Sequence, residues 1–575
     1  MENRIRTMTY IGPMAMVTSQ GLSVEENWAS LLHDCDNGNW QTKNTHGRSY
    51  PIGRIDRDRF SEIASVNYCK DFTILENLLY YVIVGVLDGV GQVIEREKCR
   101  LIISTTKGNI DLLANPSTNS NDELYLDVMA QKISSRIGFS KRAIVISNAC
   151  ISGLSSLIVG SRLIEVGDED TIIVAGGDLI SDFIFSGFES FKSLSTNLCR
   201  PYDSMRDGLT LGEGVGAILL TNDKRISSGV SILGGSISND ANHISGPSRT
   251  GDGLSLAINR AISESGIKKE QLSFVNMHGT ATLFNDEMES KALALSGLND
   301  ISVNGLKGYI GHTLGGAGII ETILCIKQLQ ENILLGTEGY ELCGCSIPLV
   351  ITKEHQSLEM QACLKTASGF GGCNAALVIA KGDRSVSDFS RGGFAVKEIS
   401  SCSVYDGKIL KDGAAILESK DSFALFIREA FKKLDSPNMK FYKMDDLSKL
   451  GYVTASYLLL DQILPSEDTA FVLWNHSSSL DTDIRHNETI IGKEPTGASP
   501  SVFVYTLPNI VMGEVAIRFG IKGENTFFIQ EDNDETAREY GLSLLSSGRF
   551  KYVVIGKCEY FKEKYSAEFK LISIE

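Results

Sequence analysis

AIVISNACISGLSSLIVGSRL, residues 143–163, reads as a buried strand, a tight turn and a helix. The strand AIVIS ends just before Cys150, and an apolar pattern of helical period follows it. A cysteine at such a junction sits at a helix N-terminus, where the partial positive charge favours a thiolate. Ala149, Ser152 and Gly153 are small enough for a tight turn and a close approach of substrate. Working outward, RLIIST (100–105), TIIVAGG (171–177) and GAILL (216–220) are further continuous apolar runs. Helical patterns separate them. Buried strands alternating with helices predict an α/β fold with a mostly parallel sheet covered on both faces.

The chain has 575 residues and a formal net charge of −16, too long for one small module. The acidic balance argues against non-specific nucleic-acid or anionic-membrane binding, which need a basic face. No apolar run reaches the roughly 18 residues of a membrane span. The 12 scattered cysteines suggest reduced thiols and a cytoplasmic protein.

Two more segments carry chemistry. In MHGTATLFNDEMES (277–290) a strand delivers His278 into a glycine-containing turn, with Asp286 and Glu289 three apart on the next helix. In NGLKGYIGHTLGGAG (304–318) Lys307 precedes His312 by five residues in a glycine-rich loop. Two strand-end histidines, a lysine and a strand-end cysteine form a constellation rather than isolated residues. Cys343 and Cys345 are the only close cysteine pair, and nothing beside them completes a tetrahedral metal site.

In that order, the three segments resemble the β-ketoacyl-acyl-carrier-protein synthases of the thiolase superfamily, elongating type. CRPYDSMRDGLTLGEGVGAILL (199–220) is similar to the family's RPFD–RDG–GEGAG stretch, and GFGGCNAAL (369–377) to its GFGG–x–NA turn. The resemblance implies a five-layered αβαβα fold of two similar halves. It places the half with the nucleophile at 1–235 and the half with the His/His/Lys site at 236–385. The polar stretch Asp383–Gly393 is the linker candidate.

Residues 394–575 look like a degenerate copy of the first half. RIG (136–138) and RFG (518–520) correspond, as do GDEDTIIVAGGD (167–178) and GRFKYVVIGKCE (548–559), at an offset of about 382. Glu531 or Asp532 then falls where Cys150 stands. Such a copy would be inert, serving to cap a dimer, shape an acyl tunnel, dock a partner or simply stabilise the protein.

The resemblance further implies decarboxylative Claisen condensation of an acyl thioester on Cys150 with malonyl-acyl carrier protein, in fatty-acid, aryl polyene or polyketide-type synthesis. Cys150, His278 and His312 would be catalytic. The backbone N–H groups of Cys150 and Phe370 would form an oxyanion hole. Lys307, near Glu289, would brace the histidine loop, with Asp286 and Glu289 in support, and Phe370 would gate the site. No metal or organic cofactor is implied, because the substrates arrive on the phosphopantetheine of acyl carrier protein. A homodimer, or a ketosynthase-like partner subunit, is expected. An acidic carrier requires a local basic patch, for which Arg54, Arg57, Lys141, Arg142, Arg200 and Arg206 are available. Ser368 replaces an expected phenylalanine and would widen or rewet the acyl tunnel. Gly316 replaces an expected alanine. Cys373 stands where the family has Thr or Ser, and thiolases use a second cysteine in this region. The competing readings are a non-catalytic chain-length-factor-like subunit and a thiolase-type acyltransferase.

Overall fold

A computed structural model describes residues 7–33, 38–45, 47–65, 68–114, 121–382, 395–434, 438–491 and 497–574. The linker candidate 383–393 lies outside them. Fifteen strands fall into three sets of five. The first is β1 (Thr9–Thr18), β2 (Arg100–Ser104), β3 (Ile144–Ile146), β4 (Thr171–Asp178) and β5 (Gly214–Thr221). The second is β6 (Val230–Asn239), β7 (Leu272–Asn276), β8 (Ser302–Asn304), β9 (Ala362–Gly369) and β10 (Cys373–Lys381). The third is β11 (Val396–Tyr405), β12 (Thr469–Asn475), β13 (Asn525–Ile529), β14 (Tyr552–Phe561) and β15 (Lys564–Ile574).

Each set has the same spatial order: first, fifth, fourth, second, third strand. The first set runs β1-β5-β4-β2-β3, with two antiparallel pairings followed by two parallel ones. The second set repeats this as β6-β10-β9-β7-β8. The third repeats it as β11-β15-β14-β12-β13. The protein is therefore a thiolase-like α/β fold of two similar halves, followed by a third unit built like the first. β4 and β5 are almost wholly buried, as continuous β-branched runs require when both sheet faces are covered.

Two helices lie between the sheets of the first two units: α2 (Ser152–Glu165), after the helix α1 (Leu126–Ile137) and strand β3, and α4 (Ala317–Glu331), after α3 (Leu283–Leu295). Nearly every residue of both is buried. They touch through glycines. A Cβ on Gly153 would lie 2.9 Å from the Gly315 carbonyl oxygen, and one on Gly318 would collide with the Leu154 nitrogen. This close approach carries the Cys150 turn to the His312 loop.

The third unit continues the first sheet. β3 pairs antiparallel with β13, Ile146 opposite Phe528 and Val145 opposite Ile529. Phe528 is the residue 382 positions after Ile146, the repeat equivalent of its own partner. Equivalent strands meeting antiparallel at equivalent residues define a local two-fold axis, the geometry of an isologous interface, here within one chain. A single buried apolar cluster runs through both units, from Val82, Ile133 and Val145 to Phe426, Val453 and Val511. Among the described residues no single helix is long and apolar enough to cross a membrane.

Candidate functional site

β3 ends and the chain enters the Cys150 turn through Ala149, whose φ of 49° lies in the left-handed region. Non-glycine residues pay for that conformation, and such strain recurs where a side chain must be aimed. Cys150 opens onto a cavity of about 250 Å³ that His278, His312, Ser368 and Phe370 also line. The cysteine sulfur and one ring nitrogen of each histidine lie within 4.8 Å of one another. The two imidazole rings stand edge to face, centroids 5.1 Å apart. The structure thus brings together the three residues expected to be catalytic, Cys150 and His278 after strand ends and His312 after the short helix Lys307–Ile310 that follows β8.

Each histidine has its Nδ1 engaged as an acceptor. The Leu314 backbone N–H donates to His312 Nδ1 at 3.2 Å, and the Lys307 ammonium lies 3.2 Å from His278 Nδ1. The proton of each neutral ring is therefore assigned to Nε2. Burial, reinforced by the charge of Lys307, pushes both rings well below the usual histidine range. They stay neutral where an exposed imidazole would charge. The sign follows from linkage: an unfolded histidine takes a proton near pH 6.5 and these do not, so their contribution to stability is full above that pH and is lost as pH falls below it. We expect ¹⁵N-imidazole NMR at pH 6 to show both rings as neutral Nε2–H tautomers; imidazolium shifts would refute the assignment. Sulfur and two imidazoles are also metal-ligand types, but a protonated Nε2 is a donor and offers no lone pair.

Lys307 is fully buried, and its partner is not the one expected. Its ammonium binds Glu321 at 2.5 Å and donates to the His278 carbonyl at 2.6 Å. Lys365, also buried, grips the other oxygen of Glu321. Burial opposes the charge on Glu321, but the two ammonium groups prevail and hold it below the carboxylate range. Lys307 and Lys365 add to burial in keeping the imidazoles neutral. Glu289 instead takes the backbone N–H groups of His278 (2.8 Å) and Gly279 (2.9 Å) and the Tyr202 hydroxyl (3.0 Å), fixing the histidine turn. Asp286 accepts from the Tyr202 N–H at 2.8 Å and is pushed up to about 7 by burial and the neighbouring Glu289.

Cys150 departs from its expectation. Burial pushes its thiol up to about 12, although Lys307 pulls the other way. The enclosure of the turn thus opposes the pull of the helix end. Cys373 is buried, directs its sulfur to the Phe370 carbonyl at 3.2 Å, and does not line the cavity. Ser368 does line it, with its hydroxyl donating to Asn374 at 2.8 Å, so a polar group stands in the cavity wall.

Phe370 sits in a ring cluster with Phe188 and Phe191, at 6.4 and 5.5 Å. The third unit reaches this turn. Asn509 donates to the Phe370 carbonyl at 2.9 Å, and Phe503 packs on Phe188 at 5.5 Å. Both lie just before α5 (Ile510–Phe519), the helix that precedes β13. Glu531 and Asp532, in the cysteine's place of the third unit, are solvent-facing and bind Arg142 and Lys557 at 2.9 and 2.6 Å. Sequence reading missed Glu321, Lys365, Asn509 and Phe503. A lone carboxylate in the apolar run GIIETILC and a lone lysine in ACLKTAS were the available signals; Asn509 and Phe503 carried none.

Residues 82–225 match the model of the beta-ketoacyl synthase N-terminal domain, and residues 230–341 that of its C-terminal domain. The chain is 31% identical over 273 residues to 3-oxoacyl-[acyl-carrier-protein] synthase 2 of Vibrio cholerae, covering 44% of this chain and 66% of that protein. It is 33% identical over 251 residues to the chloroplastic 3-oxoacyl-[acyl-carrier-protein] synthase II of Arabidopsis thaliana, covering 41% of this chain and 46% of that one. The ketosynthase ApeO in complex with its chain length factor ApeC, from Xenorhabdus doucetiae, matches 65% of this chain and 98% of its own at 26% identity and TM-score 0.57. The PfaC keto synthase-chain length factor shares the fold over 99% of this chain and 78% of its own, at 14% identity and TM-score 0.76. Both domain models thus match in order around Cys150, His278 and His312, and residues 82–341 are similar to the two domains of the beta-ketoacyl synthases.

Proposed function

We propose that the protein is a β-ketoacyl-acyl-carrier-protein synthase that condenses an acyl thioester with a malonyl thioester, both delivered on phosphopantetheine. The observation that carries this reading is the Cys150 thiol facing two neutral imidazoles in one cavity. In the first half-reaction the Cys150 sulfur attacks the acyl carbonyl and its proton leaves with the pantetheine thiol. In the second, malonyl thioester loses CO₂, and the electron pair passes to the thioester oxygen. The Nε2–H groups of His278 and His312 donate to that enolate oxygen, each worth about 3–4 kcal/mol as a preorganised donor. The enolate carbon then attacks the acyl group on Cys150, and the cysteine thiolate departs. Lys307 and Lys365, bridged by Glu321, help keep the imidazoles neutral. Mass analysis of the product from acyl and malonyl carrier proteins tests the reading; an acyl chain without the added two-carbon β-keto unit would reject it.

We also propose the division 1–235, 236–385 and 394–575, with the third unit standing where a chain-length-factor-like partner would pair across β3. The internal pairing replaces the expected homodimer at that edge. Asn509 then acts through Phe370. Asn509→Ala leaves the Phe370 carbonyl with only the weak Cys373 thiol as donor, at about 1 kcal/mol. We expect condensation to fall about 10- to 100-fold while malonyl decarboxylation, which does not need the Phe370 turn to move, is kept. Equal loss of both activities would show general unfolding instead.

A further inference from the structure

His312 is held at two levels. Its backbone is set by the segment that leads into β5: the His312 N–H donates to the Thr210 carbonyl at 2.7 Å, and the Gly212 N–H donates to the His312 carbonyl at 3.1 Å. Its ring is set by the Leu314 N–H on Nδ1, and Leu314 keeps a φ of 51°, in the left-handed region. A non-glycine residue stays in that conformation only where its surroundings hold it. The next amide supplies the hold. The Gly315 N–H donates to Asp178 Oδ2 at 2.8 Å, and a Cβ on Gly315 would lie 2.7 Å from that oxygen.

Asp178 closes β4 and is 1% exposed. The same carboxylate gathers the turn after β2, taking the Thr105 hydroxyl at 2.7 Å and the Thr106 and Lys107 N–H groups at 3.1 and 3.2 Å. The internal repeat separates the structural part of this arrangement from the rest. Ser104 pairs with Gly176 as Trp474 pairs with Lys557, so Glu559 stands in the third unit where Asp178 stands in the first. Glu559 takes the His476 and Ser477 N–H groups at 2.7 and 3.4 Å, as Asp178 takes those of Thr106 and Lys107. Tying that turn is common to both units. The bond to Gly315 crosses into the second unit and belongs to the unit that carries the cysteine.

Lys107 leads from this node to the third unit. Its side chain is 4% exposed. Its ammonium binds Asp483 at 2.7 Å, the Ser479 hydroxyl at 3.2 Å and the Thr506 carbonyl. Thr506 stands three residues before Asn509, which reaches the Phe370 turn. The third unit thus touches one loop of the cavity directly and is joined to another through Lys107 and Asp178. We infer that Asp178 is the positioning residue for the His312 ring and that Lys107 makes that position depend on the third unit.

The test is Asp178→Asn, because an amide turns a donor toward N–H groups that a carboxylate accepts. ¹⁵N-imidazole NMR should show His312 leaving the single Nε2–H tautomer for a mixture, with His278 unchanged. For decarboxylation of malonyl-pantetheine, kcat should fall about tenfold or more with KM changed less than about threefold, since a misplaced donor costs transition-state stabilisation rather than binding. Cys150 should still take an acyl group, read by mass of the intact protein, which reports a folded chain. Lys107→Met with Asp483→Asn removes both members of the buried ion pair, and should shift the His312 signal the same way with kcat down about threefold or more. An unchanged His312 spectrum or kcat in Asp178→Asn, or an equal change in His278, would overturn the positioning role. An unchanged spectrum in the paired variant would overturn the tie to the third unit. Should Asp178→Asn fail to fold, the paired variant decides both, because its route to His312 runs through Asp178. The rate readout rests on the proposed condensation: a wild-type protein that turns over no malonyl-pantetheine rejects that reading, and the spectra still decide this one.

Discussion

Cys150→Ala is expected to lower condensation by about a thousandfold or more, because no other thiol lines the cavity and the acyl group has nowhere to be held. Malonyl decarboxylation should survive in the same variant, since the two imidazole donors and the charge cluster behind them are untouched. His312→Ala gives the opposite pattern. Acylation of Cys150 persists, read by mass of the intact protein, while decarboxylation falls about 10²- to 10³-fold with the loss of one preorganised donor. The crossing of the two phenotypes separates nucleophile from oxyanion stabiliser. Undiminished condensation by Cys150→Ala would remove the covalent step. Burial that pushes the Cys150 thiol up to about 12 predicts that iodoacetamide labels the free enzyme slowly at pH 8.

The second large effect is on stability. Arg162 of α2 binds Glu524 and the Tyr540 hydroxyl of the third unit, each at 2.6 Å, and donates to the Gly235 carbonyl of β6 at 3.1 Å. The arginine side chain is 5% exposed and Glu524 not at all. Arg162→Leu leaves an uncompensated buried carboxylate, which costs about 3–5 kcal/mol. We expect a large fall in the thermal midpoint, with the third unit lost from the β3 edge together with activity. Combining Arg162→Leu with Glu524→Leu and Tyr540→Phe removes the stranded polar groups and should restore most of the loss. A single variant as stable as the wild type would show that the pair does not hold the units together.

The motifs around Cys150, His278 and His312 were legible because each couples an unusual residue to a strand end and a glycine turn. Local sequence decides those conformations, and their chemistry needs particular side chains. The partner of Lys307 was not legible. Glu289 and Glu321 stand at comparable distances along the chain, and only the packing of α4 against the histidine turn selects Glu321. The surroundings of Cys150 were not legible for a related reason: a helix end is readable in sequence, but the burial that opposes it is a property of the enclosed cavity. Which of the available basic residues carry free charge was not legible either. Charges that look free along a sequence are neutralised by partners tens to hundreds of residues away, as Arg142 is by Glu531.

The sequence by itself carried the family resemblance, singled out Cys150, His278 and His312 as candidates and revealed a repeat of the first unit without its cysteine. Tertiary structure alone decided what that unit does in space. The repeat at an offset of about 382 says that two segments are alike, and nothing in it says that they touch. Their edge strands meet because an unpaired row of backbone groups must be satisfied. The local two-fold axis then sets Phe528 against Ile146 and carries Asn509 to the Phe370 carbonyl beside Cys150.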